Sequence, residues 1–237
     1  MTGKERLMPT SVGFRIFKNI TRPDPGLVEK FKGIPTSNIN DEMNRMYNSS
    51  AAISPLNKVT SFAGPAFTVK APIGDNLMFH KALDLAEPGD VIIVDGAGAM
   101  DRSLAGEIMM TFAELKGIAA VVVDGALRDF DALCKMSMPI YCKGITPQGP
   151  FKHGPGEINV PVCCGGVVVN PGDIIVGDPD GIVVIRPEDS EAVLSAAQKK
   201  LAGETAKLSK YHALGPDYEE HAAEVSKSLE AKGVVYC

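Results

Sequence analysis

Two residue pairs carry the chemistry of this sequence: Gly106-Glu107 and, after a gap of twenty residues, Arg128-Asp129. Each pair follows an apolar run that reads as a buried parallel strand, Asp90–Asp95 for the first and Ile118–Asp124 for the second. Such strand ends form the carboxyl edge of a sheet, where open α/β sheets place ligands. Arg128 offers a planar fork of donors to a carboxylate or keto oxygen. Asp129 is a hard oxygen ligand of the kind Mg²⁺ or Mn²⁺ accepts, with waters filling the other positions. Ile108, Met109, Phe112 and Leu115 follow Glu107 at helical spacing, so Gly106-Glu107 begins a helix. The N–H groups of Ile108 and Met109 then lack an intrahelical partner and suit a carboxylate or phosphate. Glu107 is placed to act as a base through a water. Taken singly, a helix-dipole role for Glu107 and a surface ion pair or cap for Arg128-Asp129 are the simpler readings. Their joint placement favours a site for an anionic, metal-chelating substrate.

Other candidates are weaker. Asp95 and Asp124 end strands and either reach the site or cap loops. Asp178-Pro-Asp180-Gly reads as a hairpin turn. His80 falls in an expected helix and His153 in a Gly/Pro loop, and none of the four histidines has zinc-pair spacing. The Gly/Ala loop Val94–Met100 suggests a cradle for an adenosyl group, but the dinucleotide fingerprint spacing is absent. No nucleophile elbow and no phosphate-binding P-loop occurs.

The elements that must position these residues are read from pattern. Asp24-Pro25 starts a short helix, and Thr36-Ser37 caps a second over Asn38–Met46. Residues 64–71 alternate as a strand, and Asp75–Ala86 forms a helix covering a sheet. Pro139–Lys143 is a further strand of the set. Val160–Val169, Asp173–Val176 and Gly181–Ile185 are short strands divided by Asn170-Pro-Gly and Asp178-Pro-Asp-Gly turns. A long helix runs from Pro187 to about residue 213, and a polar tail lies beyond it. The order, βαβα first and hairpins later, predicts a layered α/β domain with a mixed sheet or two stacked sheets. Residues 1–22 are expected to be irregular, 23–186 to form the main domain and 187–237 a helical arm that packs on a neighbour.

The bulk numbers bound the function. A formal net charge of −5, with no dense basic run, argues against nucleic acid. No apolar run approaches a membrane span, and the N-terminus lacks a signal-peptide core. Five scattered cysteines read as reduced thiols in a cytoplasmic protein, with Cys163-Cys164 as small buried residues entering a strand.

The stretch Pro88-Gly-Asp, Gly106-Glu107, Val-Val-Asp124-Gly-Ala-Leu-Arg128-Asp129 resembles the family of the regulator of ribonuclease activity A. The enzymatic branch of that family is the class II 4-hydroxy-4-methyl-2-oxoglutarate/4-carboxy-4-hydroxy-2-oxoadipate aldolases. Gly74-Asp75-Asn76 and the segment Pro171–Ile185 extend the resemblance to about residues 35–200. Family members are often labelled demethylmenaquinone methyltransferases. The resemblance implies a swivelling β/β/α three-layer fold, assembled as a homotrimer or homohexamer with the site between subunits. It implies that Asp129 binds Mg²⁺ or Mn²⁺ mostly through waters. The Ile108 and Met109 amides at Gly106 would hold a pyruvyl carboxylate, and Arg128 the keto oxygen. Glu107 stands where the aldolases carry an acid, and Glu204 matches an arm acid from the next subunit. The implied activity is metal-dependent cleavage of a 4-hydroxy-2-oxo acid to pyruvate through an enolate, with oxaloacetate decarboxylation alongside. A non-catalytic regulator docking on a ribonuclease or helicase is the alternative; an S-adenosylmethionine-dependent methyltransferase is a third reading.

Overall fold

The computed structural model describes residues 11–58 and 61–235. They divide into two compact units, one ending at Ala197 and one beginning at Gln198. The first contains strands β1 (Phe14–Ile16), β2 (Ser54–Pro55), β3 (Phe62–Lys70), β4 (Val91–Asp95), β5 (Ala120–Leu127) and β6 (Ile140–Ile145). Strands β7 (Gly156–Ile158), β8 (Val162–Cys164), β9 (Val167–Val169), β10 (Ile174–Asp178) and β11 (Gly181–Ile185) complete its sheets. Its helices are α1 (Pro25–Glu29), α2 (Thr36–Glu42), α3 (Leu77–Leu85), α4 (Glu107–Lys116) and α5 (Phe130–Leu133). Helix α6 (Ser190–Leu214) leads into the second unit, which ends with α7 (Tyr218–Glu230).

Strands β3, β4, β5 and β6 are parallel neighbours in that order. The edges are antiparallel: β2 on β6, β7 on β3, and the β10–β11 hairpin on the first half of β3. The pleat decides the layers. Ile92, Val94, Val121 and Val123 face Met78, Phe79, Ala82, Met109, Met110 and Ala113 of α3 and α4. Their neighbours Val91, Ile93, Ala120 and Val122 face Val162, Cys164, Val167 and Val169 of the separate β8–β9 hairpin. A sheet packed by helices on one face and strands on the other is the three-layer β/β/α arrangement expected. A third core sits where α1, α2 and the start of α6 cover β10 and β11.

Several local expectations are corrected. Residues 1–10 of the segment expected to be irregular lie outside the described residues, as does Cys237, but Phe14–Ile16 is a strand, parallel to β7. Thr36 is the first residue of α2 rather than its cap; Pro35 holds the cap position. Asp178 supplies the missing acceptor from across the chain, taking hydrogen bonds from the Thr36 N–H at 2.8 Å and its hydroxyl at 2.7 Å. Asn44 and Arg45 adopt left-handed φ values of 56° and 62°, which stops the helix short of Met46. The run Val160–Val169 is divided by Gly165-Gly166 into the β8–β9 hairpin, with Cys163 exposed and Cys164 buried. The expected polar tail folds as α7, capped by Asp217 accepting from the Glu220 N–H at 2.9 Å.

Candidate active site

The residues after the carboxyl ends of β3, β4, β5 and β6 converge on one cleft of about 110 Å³. It is lined by Asn76 and His80 after β3, Ala105 to Met109 after β4 (Glu107 apart), Arg128 after β5, and Pro150 and Lys152 after β6. Four parallel strands therefore contribute one wall each, the arrangement that the carboxyl-edge rule predicts.

The two sequence pairs meet because β5 runs past the end of β4. Asp95 and Asp124 are in register, and β5 continues for three more residues to Leu127. The Leu104 N–H donates to the Ala126 carbonyl at 2.9 Å, and the Arg128 N–H to the Ala105 carbonyl at 3.0 Å. This stitching delivers Gly106 onto Arg128. The Glu107 N–H then donates to Asp129 Oδ2 at 2.9 Å, and Arg128 Nε lies 3.6 Å from the same oxygen. Gly106 is required by space: a β-carbon there would overlap Asp129 Oδ2 and stand 2.8 Å from Arg128 Cγ. Asp129 sits at a left-handed φ of 63°, a conformation that Asp tolerates better than most residues. This turn aims its carboxylate at α4 instead of capping α5.

Helix α4 begins without a side-chain cap at Gly106, and its first turn leaves the Ile108 and Met109 N–H groups without intrahelical acceptors. Arg128 and the start of α4 therefore line the cleft, and the Asp129 carboxylate lies against both. Glu107 is different. Its backbone N–H bonds Asp129, and the residue lines a neighbouring groove with Glu114, Ala132, Lys135, Met136 and Ser137 in place of the cleft itself. Glu204 lies on exposed helix in the second unit.

The pattern reading missed Asn76 and Lys152 and discounted His80. Asn76 is only 2% exposed; its amide donates to the Leu104 carbonyl at 2.8 Å and to Met109 Sδ at 3.4 Å. Its buried Oδ1 has no partner among the described residues, leaving an acceptor at the cleft for a ligand or water to satisfy. Burial, and then the charge of Lys152, holds His80 below the usual histidine range against a smaller opposing pull from Asp84. The imidazole is thus largely neutral at neutral pH.

The donor set suits a divalent ion of one kind. No group of three His, Cys, Asp or Glu side chains able to cage a metal occurs among the described residues. One half-exposed carboxylate, Asp129, with an open oxygen fits a largely hydrated Mg²⁺ or Mn²⁺, which keeps most of its waters. The Gly/Ala loop after β4 does not fit an adenosyl group. A β-carbon at Gly98 would lie 2.5 Å from Lys143 Nζ, and one at Gly96 2.9 Å from the Asp124 carbonyl. The glycines make room for the chain's own atoms, and Lys143 pairs with buried Asp124 at 2.8 Å.

Residues 36–184 match the RraA-like family, described as Aldolase/RraA, and the chain belongs to it. A relative from Halalkalibacterium halodurans, provisionally named 4-hydroxy-4-methyl-2-oxoglutarate aldolase, is 44% identical over 180 residues, covering 76% of this chain and 86% of its own. The crystal structure of Streptomyces coelicolor RraAS2, titled an unusual member of the RNase ES inhibitor RraA family, superposes with a TM-score of 0.70 at 26% identity. It covers 79% of this chain and 99% of that one. A Geobacillus kaustophilus structure titled S-adenosylmethionine: 2-dimethylmenaquinone methyltransferase gives a TM-score of 0.59 at 29% identity, covering 64% and 94%.

Proposed function

We propose that this protein is a divalent-metal-dependent aldolase that cleaves a 4-hydroxy-2-oxo acid, of the 4-hydroxy-4-methyl-2-oxoglutarate type, to pyruvate. The observation that carries the reading is that Arg128, the start of α4, Asn76 and Lys152 line one cleft, with the Asp129 carboxylate bonded to the first N–H of α4. Arg128 and the α4 N–H groups suit the 2-oxo acid and the Lys152 ammonium a second carboxylate, which matches a dicarboxylic hydroxy-oxo acid. The aldolase name of the H. halodurans relative supports the same class.

Each group has a distinct role. The Ile108 and Met109 N–H groups hold the C1 carboxylate. Arg128 donates to the C2 keto oxygen and stabilises the charge that develops there. Asp129 holds Mg²⁺ or Mn²⁺, which when bound supplies further charge stabilisation at the same oxygens. The C4 hydroxyl loses its proton and becomes a carbonyl as the C3–C4 bond breaks, so the C4 fragment leaves as a second oxo acid and the bond's electron pair forms the C2–C3 enolate. Protonation at C3 gives pyruvate. Glu107, through water, and Glu204 from the arm of a neighbouring copy serve the proton transfers. Oxaloacetate, losing carbon dioxide, leads to the same enolate. We further propose a homotrimer or homohexamer with the site at the subunit interface, and a cytoplasmic location. Exposed Ile108, Phe112 and Leu115 beside the site support the first. The four described cysteines, all unpaired, support the second.

The test is pyruvate release from oxaloacetate and 4-hydroxy-4-methyl-2-oxoglutarate, with Mg²⁺, with EDTA, and with Asp129→Ala. The expected result is metal-dependent turnover that falls more than about a hundredfold in the variant. A folded, metal-supplied sample that turns over neither substrate sinks the reading. The likeness to S. coelicolor RraAS2 would then favour a regulator that binds a ribonuclease or helicase, checked by co-purification with one.

A further inference from the structure

Asp75 is a buried carboxylate, 4% exposed, whose hydrogen bonds all come from backbone. Its Oδ1 accepts from the Leu77 N–H at 2.9 Å in a turn just ahead of α3, whose cap position is Asn76. Its Oδ2 accepts from the His153 N–H at 2.6 Å and the Gly154 N–H at 3.0 Å, on the loop after β6. That turn alone would need only one oxygen, which Asn or Ser also supplies. The second oxygen is what the carboxylate adds. An amide in its place would turn an N–H₂ group toward donors.

The rest of the loop is fastened in an alternating pattern. Ser103 donates to the Gln148 carbonyl through its N–H and hydroxyl, each at 2.8 Å. Arg102 donates to the Gly149 carbonyl at 2.6 Å and stacks its guanidinium 4.1 Å over the Phe151 ring. The Asn76 N–H donates to the Phe151 carbonyl at 3.0 Å, and the Phe151 N–H to the Gly74 carbonyl at 2.8 Å. Gln148, Gly149, Phe151, His153 and Gly154 are thus tied down, and the residues left between them, Pro150 and Lys152, line the cleft. Burial pushes the Asp75 carboxyl up, but the three N–H groups and the charge of His153 outweigh it and hold it below the ordinary range. The carboxylate is therefore ionised at neutral pH.

We propose that Asp75 is a positioning residue that sets substrate specificity: it holds the Lys152–Gly154 turn so that the Lys152 ammonium meets the carboxylate at the far end of a dicarboxylic substrate. The inference rests on the aldolase reading for its substrate but not for the clamp. Asp75 touches no reacting atom, so its loss should alter which substrate is held and leave the bond-breaking step alone.

The test compares wild type, Asp75→Asn, Asp75→Ser, Lys152→Ala and the Asp75→Asn/Lys152→Ala double variant. Kinetics are read on 4-hydroxy-4-methyl-2-oxoglutarate and on 4-hydroxy-2-oxopentanoate, which lacks the far carboxylate. Hydrogen exchange is read over residues 149–155. The expected result is faster exchange confined to that loop and a KM for the dicarboxylate raised about tenfold, the loss of one charged contact. For the Asp75 variants, KM for the monocarboxylate and kcat for both substrates stay near wild type, and on the dicarboxylate KM Asp75→Asn adds nothing to Lys152→Ala, as coupled residues require. Equal losses on both substrates, additive effects in the double variant, or unchanged loop exchange would overturn the proposal. If wild type turns over neither substrate, the aldolase reading falls by itself, and loop exchange alone decides the clamp.

Discussion

A methyl group at position 106 has no room, because it would overlap Asp129 Oδ2 and crowd Arg128 Cγ at 2.8 Å. Gly106→Ala must push the carboxylate off the Glu107 N–H or move the start of α4. Misplacement of about 1 Å costs roughly a hundredfold in rate, so kcat/KM for pyruvate release should fall at least that much. Overpacking costs about 1–3 kcal/mol, which a thermal melt would show as a drop of several degrees with folding retained. An alanine variant with wild-type kcat/KM would remove the Asp129–Glu107 contact from the working site. This contact was legible in the sequence because Asp95 and Asp124 end adjacent strands, and the loops leaving adjacent strand ends must lie side by side. Asn76, His80 and Lys152 were not legible in the same way. Each stands alone in its own segment, and their meeting depends on where α3 starts and how the loop after β6 is tied. The available signal was positional: extending the strand-end reasoning to β3 and β6 points to both segments.

At the scale of elements, the departures share a cause: the deciding contact comes from far along the chain. The start of α2 is held by Asp178, and β1 exists because Glu157 gathers it onto β7. Glu157 accepts from the Gly13 N–H at 3.1 Å and pairs with Arg15 through both carboxylate oxygens, Nη2 to Oε2 at 3.2 Å. No local periodicity over three residues could announce such a strand. The Arg15 hydrogen bond, against burial and helped by Gly13, holds Glu157 below the ordinary glutamate value of 4.5. A depressed folded pKa means that stability is fully present above about pH 4.5 and is lost as pH falls through the lower folded value. Glu157→Gln should therefore lower Tm at pH 7, by about 2 °C for a partly exposed pair. The gap to wild type should close as pH drops below 4.5. Melts across pH 3–7 check this on the scale set by linkage, and a gap that stays constant would show that the ion pair does not hold β1.

At the scale of the whole molecule, the described residues leave two surfaces uncovered. Helix α4 buries Met109, Met110 and Ala113 but exposes Ile108, Phe112 and Leu115 at 85%, 49% and 83%, one apolar stripe at helical spacing. Phe130, 50% exposed, comes just after the site on α5. In the second unit no residue of α7 is buried, and its hairpin with the end of α6 is joined by an exposed Lys210–Glu220 pair at 3.6 Å. Such a pair is worth little, and a helix of thirteen residues is marginal without packing. Both features make sense if copies of the chain associate and bury them. Covering one Leu side chain contributes about 1.5–3 kcal/mol, and the same substitution strikes every copy of a symmetric interface. Leu115→Lys lies outside the cleft lining, so it tests assembly without touching Arg128 or Asp129. Light scattering should show wild type as a trimer or hexamer and the variant shifted toward the single chain. Pyruvate release should fall with it on the proposal that Glu204 of a neighbouring copy completes the site. A wild type that scatters as one chain would confine the working site to a single subunit, and a variant that keeps both mass and turnover would place Leu115 outside any interface the site needs.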